Sequence, residues 1–137
     1  MSAAPETDAV NGIYAAINRN DIPAMLKFFA PEIERIEPEG FPTAGTYRGH
    51  TELSAHVAHG RGTWAEGTCT PEDIIVAGDK VVALLYVHVR LKAKQDWVDA
   101  RFADGFIFRN GKAVQWRSFA ERKDALAWAG IVASNAT

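Results

Sequence analysis

A single cysteine, Cys69, stands in the 137-residue chain, so no internal disulfide can form and the fold must hold through its own core. At this length roughly 65–70% of the unfolded chain's surface can be buried, which removes the need for a covalent or metal staple. No apolar run approaches the roughly 20 residues that span a bilayer. Met1 to Asp8 has neither the cationic start nor the apolar stretch of a secretory signal. A cytoplasmic protein with no membrane partner is expected, and Asn135-Ala136-Thr137, formally a glycosylation acceptor, then reads as a chance match. An excess of either charge is missing too: 15 basic residues face 17 acidic ones, with a pI near 6.1. That balance argues against a polyanion-binding surface, and nucleic acid is not an expected partner. Linker-like stretches and fixed-period repeats are absent, so residues 1–137 read as one domain.

Several chemical signatures are also lacking. No GxGxxG or Walker pattern occurs, and Gly60-Arg61-Gly62 is too short to cradle a phosphate, so no nucleotide or other cofactor is expected. No Gly-x-Ser-x-Gly turn surrounds Ser118, and no thiolate-activating motif surrounds Cys69. His56 and His59 lie three apart with Glu52 one turn before His56, but no further cluster completes a tight metal site. They read as polar, partly exposed helix residues, and no metal is expected. His50, beside Gly49, reads as a loop or cap residue.

What is present is periodic. Val10, Ile13, Tyr14 and Ile17 carry the three-and-four spacing of a first helix. Asn20 and Asp21 can cap a second, with Ile22, Met25, Leu26 and Phe29 as its apolar stripe and Pro31 as its stop. Ile33–Glu37 reads as a short strand, residues 39–49 as a loop, and Thr51–His59 as a third helix. Ile74–Ala77, Val81–Lys92, Trp97–Arg109 and Lys112–Ala120 are rich in β-branched and aromatic residues. They are punctuated by Gly78-Asp79, Gln95-Asp96 and Asn110-Gly111, turns short enough to require antiparallel hairpins. Asp124–Ile131 reads as a closing helix. The sum is an α+β domain with helices packed on one face of a curved antiparallel sheet.

Alternation assigns the faces. Val98, Ala100, Phe102, Asp104, Phe106 and Phe108 share one side, and Trp97, Asp99, Arg101, Ala103 and Gly105 the other. In the preceding strand, His88 falls on a polar side with Tyr86 and Arg90. Asp104 therefore sits in an apolar row, where an ionised carboxylate is costly; it is paired, for example with Arg35, or protonated, or beside a ligand cavity. Glu37 shares a side with Ile33 and Arg35, and if that side faces the sheet it enters the same interior as Asp104. Two carboxyl groups in one poorly hydrated pocket suit acid/base chemistry near neutral pH; the bland alternative is that Glu34, Glu37 and Glu39 form a solvated acidic segment.

The pieces IYAAINRNDIPAMLKFFAPEIERIEP, GTYRGHTELSAHVA, VAGDKVVALLYVHVRL and FADGFIFRNGKAVQWRSFAERKDALAWAG, in this order, resemble a SnoaL-like member of the nuclear transport factor 2-like superfamily. That superfamily also holds polyketide cyclases, ketosteroid isomerases and limonene epoxide hydrolases, and the resemblance covers about Val10 to Ile131. It implies a cone-shaped α+β barrel: a bent antiparallel sheet, closed by three N-terminal helices over an apolar pocket, often dimerising through the sheet's outer face. Set against the ketosteroid isomerases, Glu37 before Pro38 falls where that family has its general base, and Asp104 before Gly105-Phe106 where it has its hydrogen-bond-donating acid. The family's catalytic tyrosine falls on Ile13; Tyr14 is one residue later, about 100° round the helix.

The resemblance thus implies a small pocket for an apolar carbonyl compound and a cofactor-independent isomerase, cyclase or lyase. Glu37 would take a proton next to the carbonyl and Asp104, protonated, would donate to the enolate oxygen. Arg35 and Ser118 would orient polar atoms, and Tyr14, Trp64, Phe102, Phe106 and Trp116 would contribute to the binding wall. On that reading Asp104→Ala costs activity far more than stability. The other readings are a non-catalytic binding or dimeric accessory protein, marked by an Arg35–Glu37 pair and a lowered carboxyl pKa, and an epoxide hydrolase. The last needs a water held between a carboxylate base and an Arg-linked acid, and alternation puts Asp99 and Arg101 on the opposite face from Asp104.

Overall fold

The computed structural model describes residues 4–131; the Asn135 acceptor lies outside them. Helix α1 (Pro5–Asn18) buries Val10, Ile13, Tyr14, Ala16 and Ile17. Helix α2 (Ile22–Leu26) is capped by Asp21, whose side chain accepts from the Ala24 amide at 3.2 Å. It stops sooner than its spacing predicts, because Phe29 already begins strand β1 (Phe29–Glu37), which is longer than the expected Ile33–Glu37. Residues 39–49, expected as a loop, include a short strand β2 (Gly45–Arg48), followed by α3 (Gly49–Arg61). Four long strands follow: β3 (Trp64–Ala77), β4 (Lys80–Leu91), β5 (Trp97–Arg109) and β6 (Lys112–Phe119). Helix α4 (Arg122–Trp128) comes last among the described elements.

The sheet is curved and open, in the order β2-β1-β6-β5-β4-β3. Its hairpins are antiparallel as expected; β1, brought back from the start of the chain, runs parallel to β6. At the β5–β6 turn both central residues, Asn110 and Gly111, have positive φ (52° and 81°), the backbone that a two-residue hairpin requires. Strand β3 begins ten residues before the expected Ile74. Its register slips at Trp64/Glu66 and at Pro71/Asp73, and such bulges bend a strand while breaking its alternation. Gly67 lies between them with φ +112°, where an added Cβ would sit 2.1 Å from the His88 carbonyl oxygen.

The concave face carries the main core. Ile13, Met25, Phe29, Ile33, Leu53, Leu85 and Phe106 are fully or almost fully buried there, under α1, α2 and α3. The expectation that every helix packs on one face fails for α4. It lies on the opposite face, where Ala125 packs with Val82 and Ala103 and Trp128 covers them. Gly105 makes this seat, since a Cβ there would come within 2.5 Å of the Trp128 ring. Beyond α4 the outer face is polar and aromatic. His88 is stacked on Trp97, and Arg101 is paired with Glu72.

Candidate active site

The strand register builds the site. Asp104 pairs with Ser118 across β5–β6, and Arg35 with Trp116 across β1–β6. Directly opposed residues on one face of a sheet lie within side-chain reach, so these four converge. The Ser118 hydroxyl donates to Asp104 Oδ1 at 2.7 Å, and the Trp116 indole nitrogen donates to Oδ2 at 2.9 Å. A third donor arrives from α1: the Tyr14 hydroxyl also bonds Oδ2. The 100° offset from Ile13 does not remove Tyr14 from the interior, because the buried stripe of α1 is wide enough to hold both residues.

Arg35 is the link to the second acid. Its guanidinium stacks over Trp116, 4.2 Å from the ring centre, and one Nη donates at 2.8 Å both to Ser118 Oγ and to Glu37 Oε2. Arg35 thus reaches Asp104 through Ser118 and Trp116, not by the direct pairing considered from the sequence. Both ends of the Arg35–Glu37 pair are shielded, with side chains 6% and 12% exposed. Glu37 has two further partners: the Thr43 hydroxyl, from the β1–β2 connection, bonds Oε1, and His56 Nε2 on α3 lies 3.1 Å from Oε2. Burial alone would raise the Glu37 pKa; His56, Arg35 and Thr43 together outweigh it and hold the carboxyl below its ordinary value. That is the lowered carboxyl associated above with an Arg35–Glu37 pair.

Both acids line one cavity of about 230 Å³, together with Tyr14, Arg35, Trp64, Phe102, Trp116 and Ser118. Phe106, expected in the wall, is instead fully buried behind it, edge-on to Tyr14 and stacked on Trp116. Asp99 and Arg101 lie on the outer face as alternation requires, bonded to Tyr86 and His88 and to Glu72 respectively. Cys69 also lines the cavity, but burial first, and then the nearby Asp104 charge, push its thiol far above the ordinary cysteine pKa. A neutral thiol is a poor nucleophile. Burial, reinforced by Asp104, likewise raises the Tyr14 pKa well above its usual value, so the phenol stays protonated at neutral pH.

Several lining residues escaped the sequence. Ile17 and Val57 are helix positions that read as core, Arg61 lies past the expected end of the third helix at His59, and Phe41 and Thr43 lie in the connection between β1 and β2. His56 is the largest correction. Its side chain is 7% exposed, touches Glu37 and stacks on Tyr47 with ring centres 3.9 Å apart. The signal available was the helical phase that puts His56 beside Leu53 and Val57, both buried. No group of three or more potential metal ligands occurs among the described residues.

The cavity can therefore place a held anion, Glu37, and a saturated polar cluster around Asp104 at the edges of a mostly apolar space. It is larger than the roughly 150 Å³ cavity that accepts a benzene molecule, which suits a one-ring compound with substituents.

Comparison with known proteins gives the same architecture. The SnoaL-like domain family matches residues 10–116. A nuclear transport factor 2-like protein from Burkholderia thailandensis is 30% identical, over 96% of this chain and 100% of its own, with a TM-score of 0.75. Another such protein, of unknown function, from Burkholderia pseudomallei is 25% identical over 91% of this chain and 97% of its own, with a TM-score of 0.78. TerC, co-crystallised with polyporic acid, is 23% identical over 93% and 99%, with a TM-score of 0.77. A search of curated proteins finds no match.

Proposed function

Since this chain belongs to the SnoaL-like domain family, we propose that it binds a small, largely apolar carbonyl compound and moves a proton on it without a cofactor. The observation that carries this reading is the meeting of Glu37 and Asp104 at one cavity, each fixed by partners of its own. Glu37 is the base: ionised at neutral pH, it takes a proton from carbon beside the carbonyl. Its lowered pKa makes it a weak base, and proton transfer from carbon slows as the base weakens. The substrate class is narrowed accordingly to compounds whose C–H is already acidic, flanked by a carbonyl and by a second carbonyl or an alkene.

The role of Asp104 differs from a free hydrogen-bond donor. Its oxygens already accept from Tyr14, Trp116 and Ser118, so it fixes those groups and the ligand meets the cluster as a unit. Trp64 and Phe102 supply apolar wall. The competing reading, a pocket that binds such compounds without turnover, draws on the ion pair that holds Glu37 as an anion.

Cyclohex-3-en-1-one separates the two. It is a one-ring ketone whose C2 hydrogens are acidified by both the carbonyl and the alkene, and its isomerisation to the conjugated enone is followed by absorbance. Acceleration by the protein is expected, with at least a 100-fold loss in Glu37→Gln, the usual scale for removing a general base. Binding without acceleration, or equal rates in the variant, would remove Glu37 as base and leave the binding reading.

A further inference from the structure

Arg35 holds Glu37 and Ser118, and one of its donors is still uncommitted. A guanidinium carries five N–H bonds and keeps them all at any working pH. One Nη is turned to the main chain, donating to the carbonyl oxygens of Ile36 at 3.0 Å and Trp116 at 3.4 Å. The other donates at 2.8 Å to Glu37 Oε2 and to Ser118 Oγ. Four acceptors thus serve the Nη hydrogens, whereas Nε is buried and meets no acceptor among the described residues. No other buried side-chain nitrogen or oxygen among them is left in that state. A buried donor without an acceptor is costly, and native proteins hold few without a reason. In the planar guanidinium the Nε hydrogen shares an edge with the Nη that serves Glu37 and Ser118, and Arg35, Glu37 and Ser118 all line the cavity. The hydroxyl and indole donors around it are spent, those of Tyr14, Trp116 and Ser118 on Asp104 and that of Thr43 on Glu37.

We propose that the Arg35 Nε–H receives the carbonyl oxygen of the ligand and stabilises the negative charge that this oxygen gains as Glu37 removes the neighbouring proton. The role rests on the proton-transfer reading above, and it gives Arg35 the oxygen contact that the sequence assigned to Asp104. In a ketone the oxygen and the acidic carbon are two bonds apart, as are Nε and the Nη that holds Glu37. The matching spans let the oxygen sit on Nε while the acidic carbon lies beside Glu37, whose Oε1 accepts from Thr43 and keeps a second lone pair. The C–H bond then breaks and its proton goes to the Glu37 carboxylate. Its electron pair forms the new C=C bond of a dienolate, and the carbonyl π pair moves to oxygen. Arg35 gives up no proton, because its guanidinium is far less acidic than the Glu37 carboxyl. Return of the proton from Glu37 to the far carbon of the former alkene completes the step with no other reactant. A cationic donor already fixed by four acceptors needs no rearrangement as the charge develops. The same donor selects the ligand, since a hydrocarbon of equal shape leaves it unmet.

The Arg35 Nε–H resonance of the wild-type protein, followed in a 1H–15N spectrum, reads the contact directly. Cyclohex-2-en-1-one is expected to move it downfield, the direction of a new hydrogen bond, and cyclohexene, the same ring without oxygen, is not. Occupancy is followed on the indole N–H of Trp64, which lines the same cavity. Arg35→Lys keeps a cation beside Glu37 but has no Nε–H, so turnover of cyclohex-3-en-1-one should fall by about 100-fold, the scale of one lost oxyanion donor. If the ketone moves Trp64 but not Arg35, or cyclohexene moves Arg35 equally, the contact is overturned and Glu37 is judged by its own assay. Normal turnover in Arg35→Lys overturns it as well. A shifted Nε–H without turnover in the wild-type protein removes the proton-transfer reading and keeps Arg35 as the group that binds the carbonyl. If the ketone moves neither resonance, both proposals fall.

Discussion

Replacing Asp104 with leucine is expected to lower the free energy of unfolding by about 4 kcal/mol or more, whereas asparagine should cost about 1–2 kcal/mol. Three donors converge on this carboxylate: Tyr14, Trp116 and Ser118. All four residues are at most 5% exposed, so water does not replace a lost acceptor. Leucine orphans every donor, at about 1–3 kcal/mol each. Asparagine retains an oxygen for Tyr14 and Trp116, and its amide can donate to Ser118, which also accepts from Arg35; one hydroxyl hydrogen is then left without a partner. Urea denaturation measures both. Against a total stability of roughly 5–15 kcal/mol for ordinary domains, the leucine variant should be close to unfolded at warm temperatures. Equal and small effects would show that the donors find other partners. The expectation from sequence, that losing Asp104 costs activity far more than stability, is replaced by a cost to both, because the group is the hub of a buried network and not a free donor.

The second large effect is expected at Arg35. Arg35→Met removes the cation from a shielded pair and leaves the Glu37 carboxylate with Thr43 and His56 as its remaining partners, with Ser118 and Trp116 also losing their contact. Breaking a buried pair from one side typically costs about 3–5 kcal/mol. The pH dependence gives the sign. In the native protein Glu37 has a pKa below that of the unfolded chain, so it contributes stability above the ordinary glutamate pKa of about 4.3, lost as pH falls through the lower folded value. In Arg35→Met, burial opposes ionisation with less to offset it, the folded pKa rises, and the acid-side loss of stability flattens. Denaturation curves between pH 2 and 7 for both proteins test this; parallel curves would mean that Arg35 does not hold Glu37.

Much of this site was legible because alternation in a strand needs no distant information. Ile33, Arg35 and Glu37 on one strand, and Phe102 and Asp104 on another, face inward as their period of two requires. The failures have local causes. Strand β3 was largely invisible because its bulges around Gly67 and Pro71 interrupt the period. The seat of α4 was hidden because Ala103 and Gly105 share a face with Asp99 and Arg101, and the small size that admits Trp128 reads as no preference at all. His56 and Thr43 were missed because they meet Glu37 only after the connection through β2 folds back, and a histidine on a polar helix gives no sign of a partner 19 residues away.

The cavity face of Glu37 is open to one direct measurement: the NMR titration of its side-chain carboxyl carbon, with the cavity empty and then filled with cyclohex-2-en-1-one. The expected result is a midpoint below the ordinary glutamate value in the free protein that moves upward when the ligand displaces water from beside the carboxylate. A midpoint at the ordinary value, unmoved by the ligand, would contradict a held Glu37 facing the ligand and with it the proposed chemistry.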